Sequence, residues 1–161
     1  MPPIFVRHGR SVADNDVPAE DWPLDPDGHD EIAALAELLP ALPVVCSNMQ
    51  RAIETAALIG APTVDARLGE VTRPFVDDLQ DSIAPYFAGE PVDGWEARCV
   101  AIARVRRCVA DHGDAIFVTH GTVLSLYVAS ACPGLDAHRF WTELRNPDAW
   151  SIIDSQAIRL G

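Results

Sequence analysis

The chain has 161 residues, of which 48% are hydrophobic, and its formal net charge is −12. This length and apolar content predict one folded domain, residues 1–161, and exclude a disordered chain. No lysine or arginine lies between Ser11 and Gln50, which argues against nucleic-acid binding because that function needs basic surfaces. No apolar run approaches the length of a membrane span. We therefore expect a cytoplasmic protein with neither a nucleic-acid nor a membrane partner.

The first predicted elements are a buried strand and a helix. The apolar run at residues 3–6 predicts a strand that ends directly before Arg7, His8 and Gly9. Asp25 followed by proline is typical of a helix start, and the helix is predicted to run to about residue 39. Its apolar residues fall on one face, which we expect to be buried: Ile32, Leu35, Leu38 and Leu39.

A second strand and helix are predicted next. Residues 44–46 are apolar and predict a short buried strand. Ser47 and Gln50 have the spacing of a capping box, so we expect the serine to cap a helix that ends at Ile59. Residues 63–64 predict a third strand. The segment from residue 66 to residue 93 has poor periodicity and repeated prolines, which predicts irregular structure with one short helix.

The second half of the chain repeats this alternation. Asp93 and Glu96 have capping-box spacing and predict a long helix that ends at His112. We expect its inward face to hold Trp95, Cys99, Ile102, Val105 and Val109. The remaining predicted elements are a strand at residues 115–118, a helix at about 122–131, and two closing strands at 149–153 and 157–160. This order predicts an α/β fold in which helices cover both faces of a mostly parallel sheet.

Cysteine and histidine spacing does not indicate a metal site. The cysteines form no CxxC pair and lie in apolar stretches, which predicts buried free thiols. The histidines show neither HxH nor HExxH spacing, so a zinc site is not expected. The cysteines are Cys46, Cys99, Cys108 and Cys132, and the histidines are His8, His29, His112, His120 and His138.

Cationic and acidic side chains follow several predicted strands. Arg7 and His8 follow the first strand, Arg51 follows the second in the first turn of its helix, Glu70 follows the third, and His120 follows the strand at residues 115–118. The carboxyl ends of parallel strands meet at one edge of a sheet, where ligands bind in α/β proteins. We therefore expect these side chains to converge on one site.

This residue set suits phosphoryl transfer. Arginine offers a planar fork that matches two phosphoryl oxygens, and the helix that starts at Gly121 offers backbone N–H donors. A neutral histidine is a competent nucleophile, and a carboxyl group can protonate the leaving oxygen. We hypothesise that His8 is neutral because Arg7 and Arg51 oppose its protonation.

The motifs resemble those of the histidine phosphatase superfamily, in its compact branch, which includes the phosphoglycerate mutases. The resemblance covers nearly the whole chain in the order typical of the family. The matching motifs are the RHG triplet at residues 7–9, PLDPDG at 23–28, SNMQRAIETA at 47–56 and VTHG at 118–121, with a weaker match in NPDAWSI at 146–152.

The resemblance implies a three-layer α/β/α sandwich like that of phosphoglycerate mutase, and a role for each candidate. His8 would attack phosphorus and become a phosphohistidine. Arg7, Arg51 and His120 would hold the phosphoryl oxygens, and Glu70 would be the general acid. The family needs no metal, so no cofactor is expected. Asp77 and Asp78 are the alternative candidates for the acid.

The chain departs from the family around the substrate. Mutases usually carry glutamate where this chain has Arg10, and the glycine-rich stretch that often follows the acid is replaced here by a segment that contains Arg73. We take Arg10, Asn15 and Arg73 as candidate substrate contacts. Three arginines of the long helix are expected to form its solvated face, namely Arg104, Arg106 and Arg107.

These observations favour a metal-independent phosphatase acting on a small phosphomonoester. Two alternatives stay open: a phosphatase that acts on phosphohistidine in another protein, and a non-catalytic domain that binds a phosphorylated ligand on the same fold. A mutase ranks third because of the residue at position 10 and the missing glycine-rich stretch.

Overall fold

The computed structural model describes residues 1–76 and 79–161, and a six-stranded mixed sheet forms its centre. The spatial order of the strands is β3-β2-β4-β1-β5-β6. The first four pair in parallel, whereas β5 and β6 run antiparallel to their neighbours. The strands are β1 Ile4–Arg7, β2 Val44–Cys46, β3 Pro62–Val64, β4 Ile116–Thr119, β5 Asp148–Ile153 and β6 Gln156–Arg159.

Helices cover both faces of this sheet, as the sequence predicts. Alternate strand residues point to opposite faces, so Phe5 and Phe117 join one core cluster while Val6 and Val118 join the other. All four side chains are fully buried. The α-helices are α1 His29–Leu38, α2 Gln50–Ile59, α3 Leu79–Ala88, α4 Arg98–His112, α5 Gly121–Ala131 and α6 Ala137–Glu143. Short 3₁₀ helices span Ala19–Asp21, Pro26–Gly28 and Ala66–Leu68.

The registers of β1 and β4 bring two motifs to one edge of the sheet. Arg7, the last residue of β1, is the partner of Thr119, the last residue of β4. His8 and His120 therefore leave the sheet side by side, and the backbone N–H of His8 donates to the carbonyl of Thr119 at 3.1 Å. This confirms that the two strand ends converge.

Both predicted capping boxes are wrong, because their polar residues bind other groups. Helix α2 begins at Gln50 with Met49 as its N-cap, and the Ser47 hydroxyl accepts the Met49 N–H two residues on. Helix α4 begins at Arg98, with Ala97 as its N-cap. The Glu96 carboxylate binds the guanidinium of Arg104 instead of a helix N–H.

Burial also differs from the prediction on two helices. Leu38 is 62% exposed because it is the last residue of α1, whereas Ile32 is fully buried. The predicted inward face of α4 is confirmed at Val105, which is buried, and at Trp95, Ile102 and Val109, which pack partly buried against the core. Cys99 is exposed, contrary to the prediction, and Ala101 and Cys108 are buried instead. The other three cysteines are buried and free, as predicted.

Of the two remaining helices, the sequence predicts one. Helix α3 is the short helix expected within residues 66–93, although it holds Pro85 in its interior and proline normally ends a helix. Helix α6 occupies a segment for which the sequence predicts a loop. Its N-cap is Asp136, whose carboxylate accepts the backbone N–H of Arg139 at 2.8 Å.

Candidate active site

The two histidines at the strand ends form the centre of the candidate site. The ring centroids of His8 and His120 lie 5.1 Å apart. His8 is 7% exposed and His120 is fully buried. The backbone N–H of Gly9 donates to the Thr55 hydroxyl at 3.0 Å, and this contact fixes the turn after β1 against α2.

The hydrogen bonds of His8 define where its lone pair lies. Its Nδ1 is 2.6 Å from the carbonyl oxygen of Gly9, which only accepts, so Nδ1 carries the proton. Its Nε2 accepts a hydrogen bond from the Arg51 Nε at 3.1 Å. The lone pair of the unprotonated ring nitrogen is therefore on Nε2 and directed toward Arg51.

The environment of His8 disfavours its charged form. Burial, followed by the positive charge of Arg51, lowers the pKa of His8 to about 3, and the charge of Arg7 adds to this. This direction agrees with the hypothesis of a neutral His8. The leading cause differs from the prediction, because burial outweighs both arginines.

His120 is held by a serine from the neighbouring strand end. Its Nε2 lies 2.8 Å from the Ser47 hydroxyl, and its buried Nδ1 has no hydrogen-bond partner in the part of the chain described. Burial, followed by the charge of His8, lowers the pKa of His120 well below its ordinary value. Ser47 is thus a site residue that the sequence assigned only to helix capping.

Arg7 and Arg51 both have guanidinium groups anchored at one end. Arg7 Nη1 donates to the Leu144 carbonyl at 3.1 Å, while its buried Nε has no partner among the described residues. Arg51 donates from Nη1 to the Ala19 carbonyl. Burial lowers the pKa of both arginines, and the negative charge of Glu70 opposes this in each case.

Gly121 permits the close approach of Arg7 to the start of α5. A Cβ at this position would lie 3.2 Å from the Arg7 Cζ, which is closer than most real Cβ contacts. The glycine at the beginning of α5 thus makes room for the guanidinium. The sequence predicts Gly121 as a phosphate ligand, whereas the contact that the structure shows for it is the one with Arg7.

Glu70 caps the N-terminus of α5. Its Oε2 accepts the Thr122 N–H at 3.0 Å, and its Oε1 accepts the N–H groups of Val123 at 2.8 Å and Val71 at 2.9 Å. The structure therefore brings this carboxylate to the first turn of the helix that follows His120. It also accepts backbone N–H groups at the start of α5, which the sequence predicts as hydrogen-bond donors to a phosphate. The alternative acids, Asp77 and Asp78, lie outside the described residues.

Arg104 anchors the loop that carries Glu70, and its assignment to the solvated face of α4 is wrong. Its Nη1 donates to the carbonyls of Arg67 at 2.6 Å and Gly69 at 2.8 Å, and its Nη2 donates to that of Glu70 at 3.2 Å. Its Nε donates to Glu96 at 2.8 Å. Sequence reasoning missed this role because the partners are three backbone carbonyls more than 30 residues away. The two other arginines of the predicted face, Arg106 and Arg107, are exposed.

The predicted substrate contacts lie in different surroundings. Arg10 forms a salt bridge with Glu31 at 3.7 Å, with both side chains about half exposed. Asn15 is exposed in the loop between β1 and α1. Arg73 is half-buried, and its Cζ lies 5.4 Å from the centre of the Trp95 ring.

Asn146 is a further residue that the sequence did not select as a site candidate. Its side-chain Nδ2 donates to the carbonyl of His8 at 3.0 Å. The weak motif at residues 146–152 pointed to this region only as a strand. The contact shows that the loop before β5 also fixes the backbone of His8.

One cluster of potential metal ligands lies outside these contacts. Asp65, Cys108 and His112 each offer one ligand atom, and these atoms lie within 4.8 Å of one another. The Asp65 carboxylate accepts hydrogen bonds from Arg67, including one of 2.7 Å, and one of 3.0 Å joins it to His112. The cluster is therefore joined by hydrogen bonds and an ion pair. Spacing arguments could not find it because Asp65 comes from a different element.

Part of the sequence matches a known protein family. Residues 4–73 match the family described as Histidine phosphatase superfamily (branch 1). This segment includes the RHG triplet and the motif that contains Arg51. This part of the chain therefore has the sequence features of that superfamily. No curated protein matches the sequence.

Several solved structures share the fold of this chain. Two crystal structures from Thermus thermophilus, described as TTHB049 and as phosphoglycerate mutase, each show 24% identity and a TM-score of 0.77, with 100% of this chain and 99% of the other covered. Mycobacterial glucosyl-3-phosphoglycerate phosphatase shows 20% identity and a TM-score of 0.70 over 91% of this chain and 87% of its own. These likenesses confirm the α/β fold like that of phosphoglycerate mutase.

None of the helices in the described ranges combines the length and the hydropathy that a membrane span requires.

Proposed function

We propose that this protein is a member of the histidine phosphatase superfamily and acts as a metal-independent phosphatase that hydrolyses a small phosphomonoester through a phosphohistidine on His8. The observation that carries the proposal is the lone pair of His8 Nε2, which is buried, unprotonated and directed toward Arg51. A buried neutral imidazole fixed by a backbone carbonyl is ready for nucleophilic attack. We propose the whole chain, residues 1–161, as the phosphatase domain.

The neighbouring cations suit the charge that develops on the phosphoryl oxygens. The unpartnered Nε of Arg7, the guanidinium of Arg51 and the unpartnered Nδ1 of His120 are the donors that the described residues offer to these oxygens. We assign the proton of neutral His120 to Nδ1, with the Ser47 hydroxyl donating to Nε2. Fixed donors of this kind lower the barrier because they are already oriented when the charge develops.

The reaction then has two steps. In the first, His8 Nε2 forms a bond to phosphorus as the ester P–O bond breaks, and the leaving oxygen takes a proton from a carboxyl group. In the second, water attacks the phosphohistidine, gives up a proton to the carboxylate, and the P–N bond breaks to release inorganic phosphate and neutral His8. We assign the proton transfers to Glu70, which contacts the N-terminus of α5 beside Arg7.

The hydrogen bonds of Glu70 also favour a second candidate, a protein phosphohistidine phosphatase. Both carboxylate oxygens already accept backbone N–H groups, so a proton has to occupy a remaining lone pair. A phosphohistidine substrate needs less help from an acid, because its leaving group is an imidazole. The two candidates therefore differ in how strongly they depend on Glu70.

The first experiment measures hydrolysis of p-nitrophenyl phosphate in excess EDTA. We expect turnover that survives EDTA, is lost in His8→Ala, and is unchanged in the matched control His29→Ala, whose ring is exposed on α1. Loss of turnover in EDTA would contradict the metal-independent mechanism. Tight phosphate binding without turnover by the wild type would favour the non-catalytic binding domain.

A second experiment separates the two phosphatase candidates. Glu70→Gln keeps the shape of the side chain but cannot transfer a proton. For a phosphomonoesterase, we expect the variant to lose much more activity on an alkyl phosphate than on p-nitrophenyl phosphate, because the alkoxide is the poorer leaving group. Efficient hydrolysis of phosphohistidine by both wild type and variant, with little activity on alkyl phosphates by either, would favour the second candidate.

A further inference from the structure

A cavity of about 670 Å³ is lined by residues of helices α3, α4, α5 and α6 and of the loop before α6. Its volume falls within the range of about 300–1,000 Å³ that small-molecule sites occupy. The lining includes none of the described residues at the centre of the candidate active site, namely Arg7, His8, Arg51, Glu70 and His120. The cavity is therefore built from a separate set of side chains, which the proposed mechanism does not use.

Small side chains keep this cavity open between the helices. At several lining positions a larger side chain would fill the space between packed helices, and these positions hold Ala84, Ala88, Ala129, Ser130 and Ala137. The larger apolar side chains of the wall are Phe87, Ile102, Leu126 and Leu135. All of these except Leu126 are only partly buried against the core. A ligand with an apolar body would remove this surface from water, which favours binding.

Arg98 supplies the positive charge of the lining. It is half-buried in the first turn of α4, and its Nη1 donates to the Phe87 carbonyl at 3.2 Å, which holds the guanidinium against the end of α3. No carboxylate of the described residues forms a salt bridge with it, although the protein has a net charge of −12. Its Nε and Nη2 are left to hold the two oxygens of an anion.

Asp136 and His138, which also line the cavity, have structural contacts of their own. The Asp136 carboxylate caps α6 and accepts the backbone N–H of Arg139 at 2.8 Å. The His138 ring stacks against Phe87 and Trp141, with ring centroids 5.9 Å and 6.2 Å away. Arg98 is therefore the lining side chain whose charge is best placed to select a ligand.

We propose that this cavity binds a small carboxylate with an apolar body, a ligand distinct from the phosphorylated substrate. The carboxylate pairs with Arg98, whose planar fork matches two oxygens. The apolar body lies against Phe87, Ile102 and Leu126, where a hydrocarbon or aromatic group is favoured over a sugar. The inference is independent of the proposed phosphatase function, because the two sites share none of these residues.

The thiol of Cys99 provides the assay. Cys99 lines the cavity and is exposed, whereas the other three cysteines of the chain are buried. Labelling by iodoacetamide, a neutral reagent, therefore reads this one position by mass spectrometry. The probes are 3-phenylpropanoate, 3-phenylpropan-1-ol and 3-phenylpropylamine, which share one apolar body and differ in the head group. We expect the carboxylate to slow labelling about tenfold at about ten times its Kd, and the alcohol and the amine to protect much less.

Three variants test which side chains are responsible, each compared with and without the probe so that a change in thiol reactivity itself does not matter. Arg98→Gln should lose the protection, whereas Arg106→Gln, which removes the same charge from an exposed position of α4, should keep it. Ala129→Leu places a larger side chain on the α5 wall and should also lose the protection, with a melting temperature close to the wild type.

Several outcomes would overturn the inference. Failure of the carboxylate to protect Cys99, or equal protection by all three probes, would exclude anion binding in the cavity. Stronger protection by the amine would assign the cavity to a cation beside Asp136. Labelling that slows as the protein concentration rises, without any probe, would assign it to a second copy of the chain. His8→Ala should be protected like the wild type, so the result does not depend on the phosphatase proposal.

Discussion

The neutral state of His8 has a consequence for stability that can be measured. Burial and Arg51 lower its pKa to about 3, whereas in the unfolded chain the pKa is near the ordinary value of 6.5. As the pH falls below 6.5, the unfolded state binds a proton that the native state does not, so the stabilisation present at pH 7.5 is lost. With these two values, lowering the pH from 7.5 to 5.5 costs about 1.4 kcal/mol for His8 alone. His120 contributes with the same sign.

Urea unfolding at pH 7.5, 6.5 and 5.5 tests this reasoning. We expect the free energy of unfolding of His8→Gln to fall between these pH values by about 1.4 kcal/mol less than that of the wild type. His29→Gln, which replaces an exposed ring, should behave like the wild type. The partly buried acid Asp65 has a pKa below its ordinary value of 3.8, so it loses its stabilisation only at lower pH. Equal losses in wild type and His8→Gln would refute a neutral native His8.

Three further predictions concern residues that support the site. Gly121→Ala should push the Arg7 guanidinium away and lower kcat/KM for p-nitrophenyl phosphate by about 100-fold. The melting temperature should stay close to that of the wild type, and an unchanged kcat/KM would contradict the close contact. Ser47→Ala leaves the His120 Nε2 without its partner, so we expect the free energy of unfolding measured in urea to fall by about 1–3 kcal/mol. The ring proton of His120 should also redistribute between the two nitrogens in ¹⁵N NMR spectra, and an unchanged spectrum would exclude the assigned tautomer. Arg104→Lys cannot reach three carbonyls at once, so it should reduce turnover of alkyl phosphates about tenfold more than that of p-nitrophenyl phosphate, whereas equal losses would indicate a purely structural role.

The location of the site could be predicted from the sequence because its main signals are local. Each of the two histidines lies next to a glycine and close behind a short apolar run that predicts a buried strand. Parallel strands place such positions at one edge of a sheet. His8 and His120 therefore converge, with ring centroids 5.1 Å apart, without any loop having to be predicted.

The supporting contacts could not be predicted because their partners are distant in sequence. The Glu70 carboxylate binds N–H groups 52 and 53 residues later. Ser47 contacts His120 across 73 residues, and the spacing to Gln50 suggested a local cap instead. A capping motif indicates only that a polar side chain can accept a hydrogen bond from a nearby backbone N–H. It does not exclude a buried partner that the fold brings closer.

The charge distribution reconciles an acidic protein with an anionic substrate. The negative charge of Glu70 acts on Arg7 and Arg51, and Arg104 donates to the Glu70 backbone carbonyl. Each of the three arginines also contributes to lowering the pKa of His120. The site thus holds more positive than negative charge, although the whole chain carries −12. Surface charges are screened beyond about 10 Å at 0.1 M salt, whereas buried ones are screened much less. The arginines consequently dominate the field at the proposed phosphoryl position, and the same positive charge adds to burial in keeping both histidines neutral.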